Sequence, residues 1–260
     1  MISRFNIVLF WIMGSLLMMQ CAPSEESRKA QVDSLAYQYD TLTRTFESCL
    51  PETDTCTYVR FVFPTISVTG HLADSIQHML QVFFNDGEGR PQPLDSIQQK
   101  LIGEYRAFRN ESAHRPSRWN WDAHASVVSQ NKSWIQFELY TGGYTGGAHD
   151  FGSVEYRILD KSTGRRLGLS DFFDPVKMPK LTQLGETEFC RVRQIPPHQS
   201  LEDAGFEFDS GRFVLPENFL ILPDGIRFLY NAYEIGPYVL GETQFTLPAN
   251  KVVPLMKRKD

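Results

Sequence analysis

Hydrophobic and polar positions change period several times along the chain, and each change marks an element. Val59, Phe61 and Phe63 alternate with Tyr58, Arg60 and Val62, which predicts a strand over 57–63 whose pairing Pro64 limits. Before it, within 35–47, the aromatic and β-branched run Tyr37 to Thr43 predicts another strand. From His71 to Phe84 the period becomes helical, with Leu72, Ile76, Met79, Leu80 and Phe83 on one face. Asp86-Gly87-Glu88-Gly89-Arg90-Pro91 breaks this helix, and Leu94, Ile97, Leu101, Tyr105 and Phe108 predict a second. Alternation returns over 123–129 and 133–140, around the turn Gln130-Asn131-Lys132. In the later run Ile135, Phe137 and Leu139 face one way. Gln136, Glu138 and Tyr140 face the other, which places Tyr140 on the solvent side.

Phe151 to Asp160 predicts a further strand, turned by 161–164. Leu169 to Phe173 reads as a helix start or tight turn, and Leu181, Leu184, Phe189 and Val192 predict a third helix over 178–193. Asn218 to Leu222 and Ile226 to Tyr230 flank Pro223-Asp224-Gly225 and predict a hairpin, with proline fixing φ and glycine taking a positive φ. Thr243 to Leu247 is the last strand. Strand runs and helix pairs without β-α-β alternation predict an α+β fold, a mainly antiparallel sheet covered by about three helices.

The start of the chain reads differently. Arg4 precedes an uncharged apolar run from Ile7 to Met19, too short for a bilayer core of about 30 Å. Residues 1–20 are therefore expected to be a signal peptide. Cys21 follows at once, then a polar stretch, so 21–34 resembles the lipidated N-terminus and tether of a bacterial lipoprotein, although Gln20 is a loose match just before the cysteine. That implies a lipid anchor at Cys21, and Ser24-Glu25-Glu26 points to the outer membrane and its outer face. Residues 35–260 suit a single domain.

Without 1–20 the chain keeps 25 basic side chains against 31 acidic ones, which argues against nucleic acid and against adsorption to anionic lipid. The membrane is then reached through the anchor alone. Nineteen Phe, ten Tyr and four Trp suit an aromatic core more than an aromatic surface. Outside the cytoplasm cysteines can pair, and Cys49 and Cys56 close a short loop between two strands, so a Cys49–Cys56 disulfide is expected. Cys190 is left on an apolar helical stripe as an inert thiol.

Candidate chemistry gathers near the middle. Tyr140 to His149 contains Tyr-Thr-Gly-Gly twice and then Ala-His, between two strands. Four glycines there suit a loop that brings backbone close to a partner. A second loop, Tyr233-Glu234-Ile235-Gly236-Pro237-Tyr238 to Gly241, has similar aromatic, acidic and Gly/Pro character. The two loops are expected to lie together as a recognition surface of Tyr140, Tyr144, His149, Tyr233, Glu234, Pro237 and Tyr238, with Tyr144 and Tyr238 supplying contact area. No His-Glu-x-x-His, Gly-x-Ser-x-Gly, P-loop or Cys-x-x-Cys occurs, and no cofactor or metal is expected. The enzymatic alternative is a hydrolase or glycan-modifying site of His149, Asp150 and Glu234. A third reading is a structural envelope protein without a ligand.

Four segments in order carry a resemblance: the strand leading into Tyr-Thr-Gly-Gly-Ala-His, Leu169 to Phe173, Leu222-Pro223-Asp224-Gly225-Ile226-Arg227-Phe228, and Tyr233 to Tyr238. Together they resemble the extracytoplasmic RsiV-like domain family, which includes the sensor region of a lysozyme-responsive anti-sigma factor and the PdaC-type segment of peptidoglycan deacetylases. The likeness runs from about Thr57 to Met256. Neither a sigma-binding segment nor a deacetylase motif accompanies it. The resemblance therefore implies a recognition module for a protein such as lysozyme, or for cell-wall glycan, and no catalysis.

Overall fold

The computed structural model describes residues 34–257, apart from 52, 54, 86–89 and 112–117. The expected signal peptide, Cys21, most of the tether and the break at 86–89 lie outside the described residues. The described residues form one compact unit.

Among the described residues eight strands form two sheets. The first has the order β1 (Tyr37–Thr45), β2 (Tyr58–Ile66), β3 (Asn120–Gln130), β4 (Trp134–Tyr144), β5 (Phe151–Asp160). The second is β6 (Phe219–Leu222), β7 (Gly225–Tyr230), β8 (Thr243–Pro248). All neighbours are antiparallel except β2 and β3. That parallel pair is joined through α1 (His71–Phe83) and α2 (Leu94–Glu111), a crossover long enough to return the chain in the same direction. Pro64 acts as expected on one side only: pairing with β3 stops at Val62, while pairing with β1 continues to Ile66. The long helices are α1, α2 and α4 (Met178–Val192); α3 (Leu169–Phe172) and α5 (Ala249–Val252) are single turns. The fold is the α+β arrangement the sequence predicts, but its antiparallel strands divide between two sheets.

Each sheet has its own apolar layer. The predicted face of α1, with Ile97 and Ile102 of α2, packs on Val59, Phe61, Ala123, Ala125, Ile135, Phe137 and Leu139. Leu181 and Phe189 of α4 pack on Ile226, Phe228, Tyr230, Phe245 and Leu247. Phe189 sits among Phe206, Phe208, Phe213, Tyr230 and Phe245, with ring centroids 4.9 to 6.2 Å away. The aromatic content is thus spent largely on core. Cys49 and Cys56 are disulfide-bonded, and half-buried Cys190 packs on the second layer, its thiol pushed up by burial and Glu186.

The sheets meet at β5 and β6. The free edge of β5 is closed by side-chain amides: Val154 N–H donates to Asn231 Oδ1 and Tyr156 N–H to Asn218 Oδ1, while Asn218 and Asn231 both donate back to Val154 O. The free edge of β6 is closed by Gln136, which both donates to and accepts from Ile221. Two edges that would otherwise recruit foreign strands are thereby satisfied within the fold. Tyr156, Leu220 and Leu229 fill the space between them.

Candidate functional site

The central Gly-rich stretch is only half a loop. Strand β4 continues through Tyr140-Thr141-Gly142-Gly143-Tyr144, paired to Asn120–His124 on one side and, as far as Gly143, to Phe151–Val154 on the other. Gly143 is required by a close approach: at φ +156°, a Cβ there would lie 1.9 Å from the Asn120 carbonyl oxygen. Tyr140, exposed as expected, lies across Gly142 on the same face. After Tyr144 the rest of the second tetrad, Thr145 to Gly147, forms bends that lead to His149.

The other loop reaches this point because its base is tied to β5. Asn231 grips Val154, and Glu234 braces that turn by accepting from Asn231 N–H at 2.8 Å. Burial holds the Glu234 carboxyl above its ordinary range even though the residue as a whole is exposed. Pro237, at φ −66°, starts the 3₁₀ turn Tyr238–Leu240. Three residues before Val154 the chain enters β5 from His149 and Asp150, and there the two loops meet.

The imidazole of His149 stacks on Tyr238, with ring centroids 4.0 Å apart and 12° between planes. Tyr233 lies 5.3 Å from Tyr238 and 6.4 Å from His149, centroid to centroid. His149 Nδ1 is 2.7 Å from the Asp150 carbonyl, so Nδ1 carries the proton and Nε2 accepts from the Tyr233 hydroxyl at 3.3 Å. Tyr238 O–H reaches the Asp150 carbonyl at 3.5 Å. The result is an aromatic shelf. Tyr233 is 64% exposed and Tyr238 41% exposed. Tyr233 holds φ +69°, a costly conformation for a bulky residue, at the tip of the shelf.

Tyr140 and Tyr144 are placed beside this shelf, not within it. They line a polar groove of about 510 Å³ on the helix-free face of the first sheet, with Arg118, Asn120, Asp122, Asp150 and Phe151. Sequence reasoning missed Asp122. Its carboxylate accepts from Tyr58 O–H at 2.8 Å and Arg60 Nε at 2.7 Å, and His124 Nε2 stands 3.9 Å away. Burial and the bond to Asp122 raise the Tyr58 phenol. The available signal was the alternation Asn120, Asp122, His124 in β3 beside Tyr58 and Arg60 in β2.

Of the expected site, then, His149, Tyr233 and Tyr238 come together, Tyr140 and Tyr144 flank them, and Glu234 and Pro237 shape the loop. Of the trio His149, Asp150 and Glu234, the imidazole faces the Asp150 carbonyl through Nδ1 and the Tyr233 hydroxyl through Nε2, while the Glu234 carboxylate accepts from Asn231 N–H. Among the described residues no three His, Cys, Asp or Glu side chains lie together as metal ligands, and no helix is long and apolar enough to cross a membrane.

These features define an α+β protein of two amide-joined sheets with an exposed aromatic shelf. Residues 170–250 match the family described as "Protein of unknown function (DUF3298)". A DUF3298-family crystal structure from Bacteroides fragilis is similar at a TM-score of 0.66 and 22% identity, over 86% of this chain and 94% of that one. One from Pseudomonas aeruginosa is similar at 0.63 and 16%, over 86% and 95%. At these identities the likeness is one of fold. No curated protein matches the chain.

Proposed function

We propose that this chain is a non-enzymatic bacterial envelope lipoprotein, anchored through Cys21, whose domain recognises a protein partner of the lysozyme kind or cell-wall glycan. The observation that carries the reading is the shelf of His149, Tyr233 and Tyr238: two loops far apart in sequence join to hold large rings exposed and preorganised. Rigid tyrosines give contact area at low entropy cost and keep a hydroxyl for a polar partner. The polar groove beside the shelf supplies donors and acceptors at its edge. The resemblance to RsiV-like and PdaC-type domains supports a recognition role, and the Cys21 context supports the outer membrane as its location.

Two measurements test this. The full chain, solubilised in mild detergent, is assayed against immobilised lysozyme and against purified peptidoglycan sacculi. Tyr233→Ala combined with Tyr238→Ala is expected to weaken whichever binding is seen by tenfold or more, a loss of about 1.4 kcal/mol or greater. Its melting temperature should stay within about 2 °C of the parent, because exposed side chains away from the core contribute little to stability. Binding to neither probe, or binding that survives the double substitution, would refute the assignment. Separately, Cys21→Ala is expected to move the protein from the membrane to the soluble fraction; continued retention would remove the anchor from the reading.

A further inference from the structure

A cleft of about 780 Å³ lies away from the shelf, between α1 and β5. Strand β5 explains why it exists. Val154, Tyr156 and Ile158 point to the second sheet, so Glu155, Arg157 and Leu159 point to the helix-bearing face of the first. The centre of that face is apolar: Phe61, Ala123, Ala125, Ile135, Phe137 and Leu139 pack under the helices. Its charged side chains lie on the two outer strands, Asp40 and Arg44 on β1, where Arg44 pairs with Asp95 of α2, and Glu155 and Arg157 on β5. On the β5 side these charges line a cleft beside the apolar layer, which is the informative feature.

The cleft is a built space. Met79, Val82 and Phe83 of α1 form one wall, and Leu139 and Leu159 form an apolar floor. One end is fixed by the turn after β5, which lies so close to the first turn of α1 that a Cβ on Gly164 would come within 2.5 Å of His71 O and Ser75 Oγ. The polar elements are Arg157 and Arg166, with Glu155, Asp74, Ser75 and His78. Arg157 is mostly buried, its side chain 22% exposed. It is paired with Glu155 and donates to the Tyr156 carbonyl at 3.2 Å, and burial lowers its guanidinium below the ordinary range. Arg166 also bears on it, since its charge lowers Arg157 further. The acid facing Arg166 is Glu217, 3.9 Å away, 91% exposed and outside the cleft. Glu155 answers one guanidinium, and Asp74 stands exposed on the α1 wall. The second guanidinium is left with a distant solvent-facing partner.

We propose that this cleft binds a small molecule with an apolar body and a single anionic head, a carboxylate or sulfonate, with the body on Leu139, Leu159, Met79 and Val82 and the head at Arg157 and Arg166. An anion there relieves the mutual repulsion of the two guanidinium groups, and Arg geometry suits a two-oxygen head. The volume falls within the range of small-molecule sites, and an apolar lining with a few convergent polar groups is their usual composition. This site is independent of the aromatic shelf, so either assignment can fail alone.

The test is fluorescence titration of the full chain with 8-anilinonaphthalene-1-sulfonate, which has an apolar body and one anionic head. Val82→Trp fills the cleft without adding charge, and Arg166→Glu reverses the charge at its end; both variants keep residues 1–33, so any binding to that segment is common to all three proteins. The expected result is a saturable component of one equivalent, weakened at least tenfold in each variant while circular dichroism stays unchanged. If Val82→Trp fails to fold, Arg166→Glu, an exposed substitution, decides alone. Decanoate should displace the dye, and 1-decanol at the same concentration should not. Absence of a saturable component, equal affinity in Arg166→Glu, or equal displacement by decanoate and decanol would each overturn the proposal.

Discussion

Gly225→Val is expected to destabilise the domain by about 3 kcal/mol or more, a large share of the 5–15 kcal/mol that holds a typical domain folded. Gly225 is the first residue of β7, paired with Leu222 across the turn and with Pro248 on β8. Its φ is +154°. A Cβ there would lie 2.0 Å from the Leu247 carbonyl oxygen, 2.9 Å from the Leu247 carbonyl carbon and 3.0 Å from Pro248 Cα. These are backbone atoms of a paired strand, so no rotamer change relieves the contact. Strand β8 has to retreat, which loosens Phe245 and Leu247 in the second apolar layer and the bond from Ala249 N–H to the Asp224 carbonyl. Overpacking costs of order 1–3 kcal/mol and a strained backbone a similar amount. The clash begins at Cβ, so Gly225→Ala should carry most of the same loss. Urea unfolding of both variants checks this: an alanine variant close to the parent would mean that β-branching, not close approach, is the reason for glycine.

That residue also shows how far the sequence could be read. Pro223-Asp224-Gly225 announces a turn through local chemistry, and the hairpin is where the pattern places it. The pressure from β8 is not local, because Leu247 lies 22 residues further on, and no dipeptide signal encodes it. The same division holds elsewhere. The α1 face and the Ile135-Phe137-Leu139 face are periodicities of a few residues and are legible. The two Tyr-Thr-Gly-Gly tetrads are identical in sequence, yet the first is strand throughout and the second leaves the strand after Tyr144, because β5 flanks β4 only as far as Gly143 and β3 only as far as Tyr144. The β2–β3 parallel pair was hidden by the two helices between its strands.

The site divides in the same way. Tyr140 on the outer face follows from strand alternation. That the two loops lie together is expected from the sequence; that Tyr233, rather than Tyr144, completes the shelf beside His149 and Tyr238 is not, because their meeting depends on the Asn231 clamp on β5. Glu234 looked like a charge offered to a ligand. It serves a turn instead, because a carboxylate within reach of an unpaired backbone N–H is drawn to it.

The second large effect is expected at Gln136→Leu. Gln136 stands on the polar side of β4's alternation, yet it is fully buried, because the second sheet covers that side. Its Nε2 donates to the Ile221 carbonyl and to Ser129 Oγ, each at 2.7 Å, and its Oε1 accepts from Ile221 N–H at 2.8 Å. The amide therefore does for β6 what a neighbouring strand would do. Leucine matches its size but leaves the Ile221 N–H and C=O and the Ser129 hydroxyl without that partner. Orphaned buried polar groups cost about 1–3 kcal/mol each, and the sum here is about 3 kcal/mol after partial rehydration. The loss should be local in its first expression: hydrogen exchange at the Ile221 amide should accelerate before that of Phe228 in the middle of the second sheet. If Gln136→Leu costs less than about 1 kcal/mol and leaves Ile221 protected, then the apolar contacts of Tyr156, Leu220 and Leu229 alone join the two sheets, and the amides only dress an interface that packing already holds.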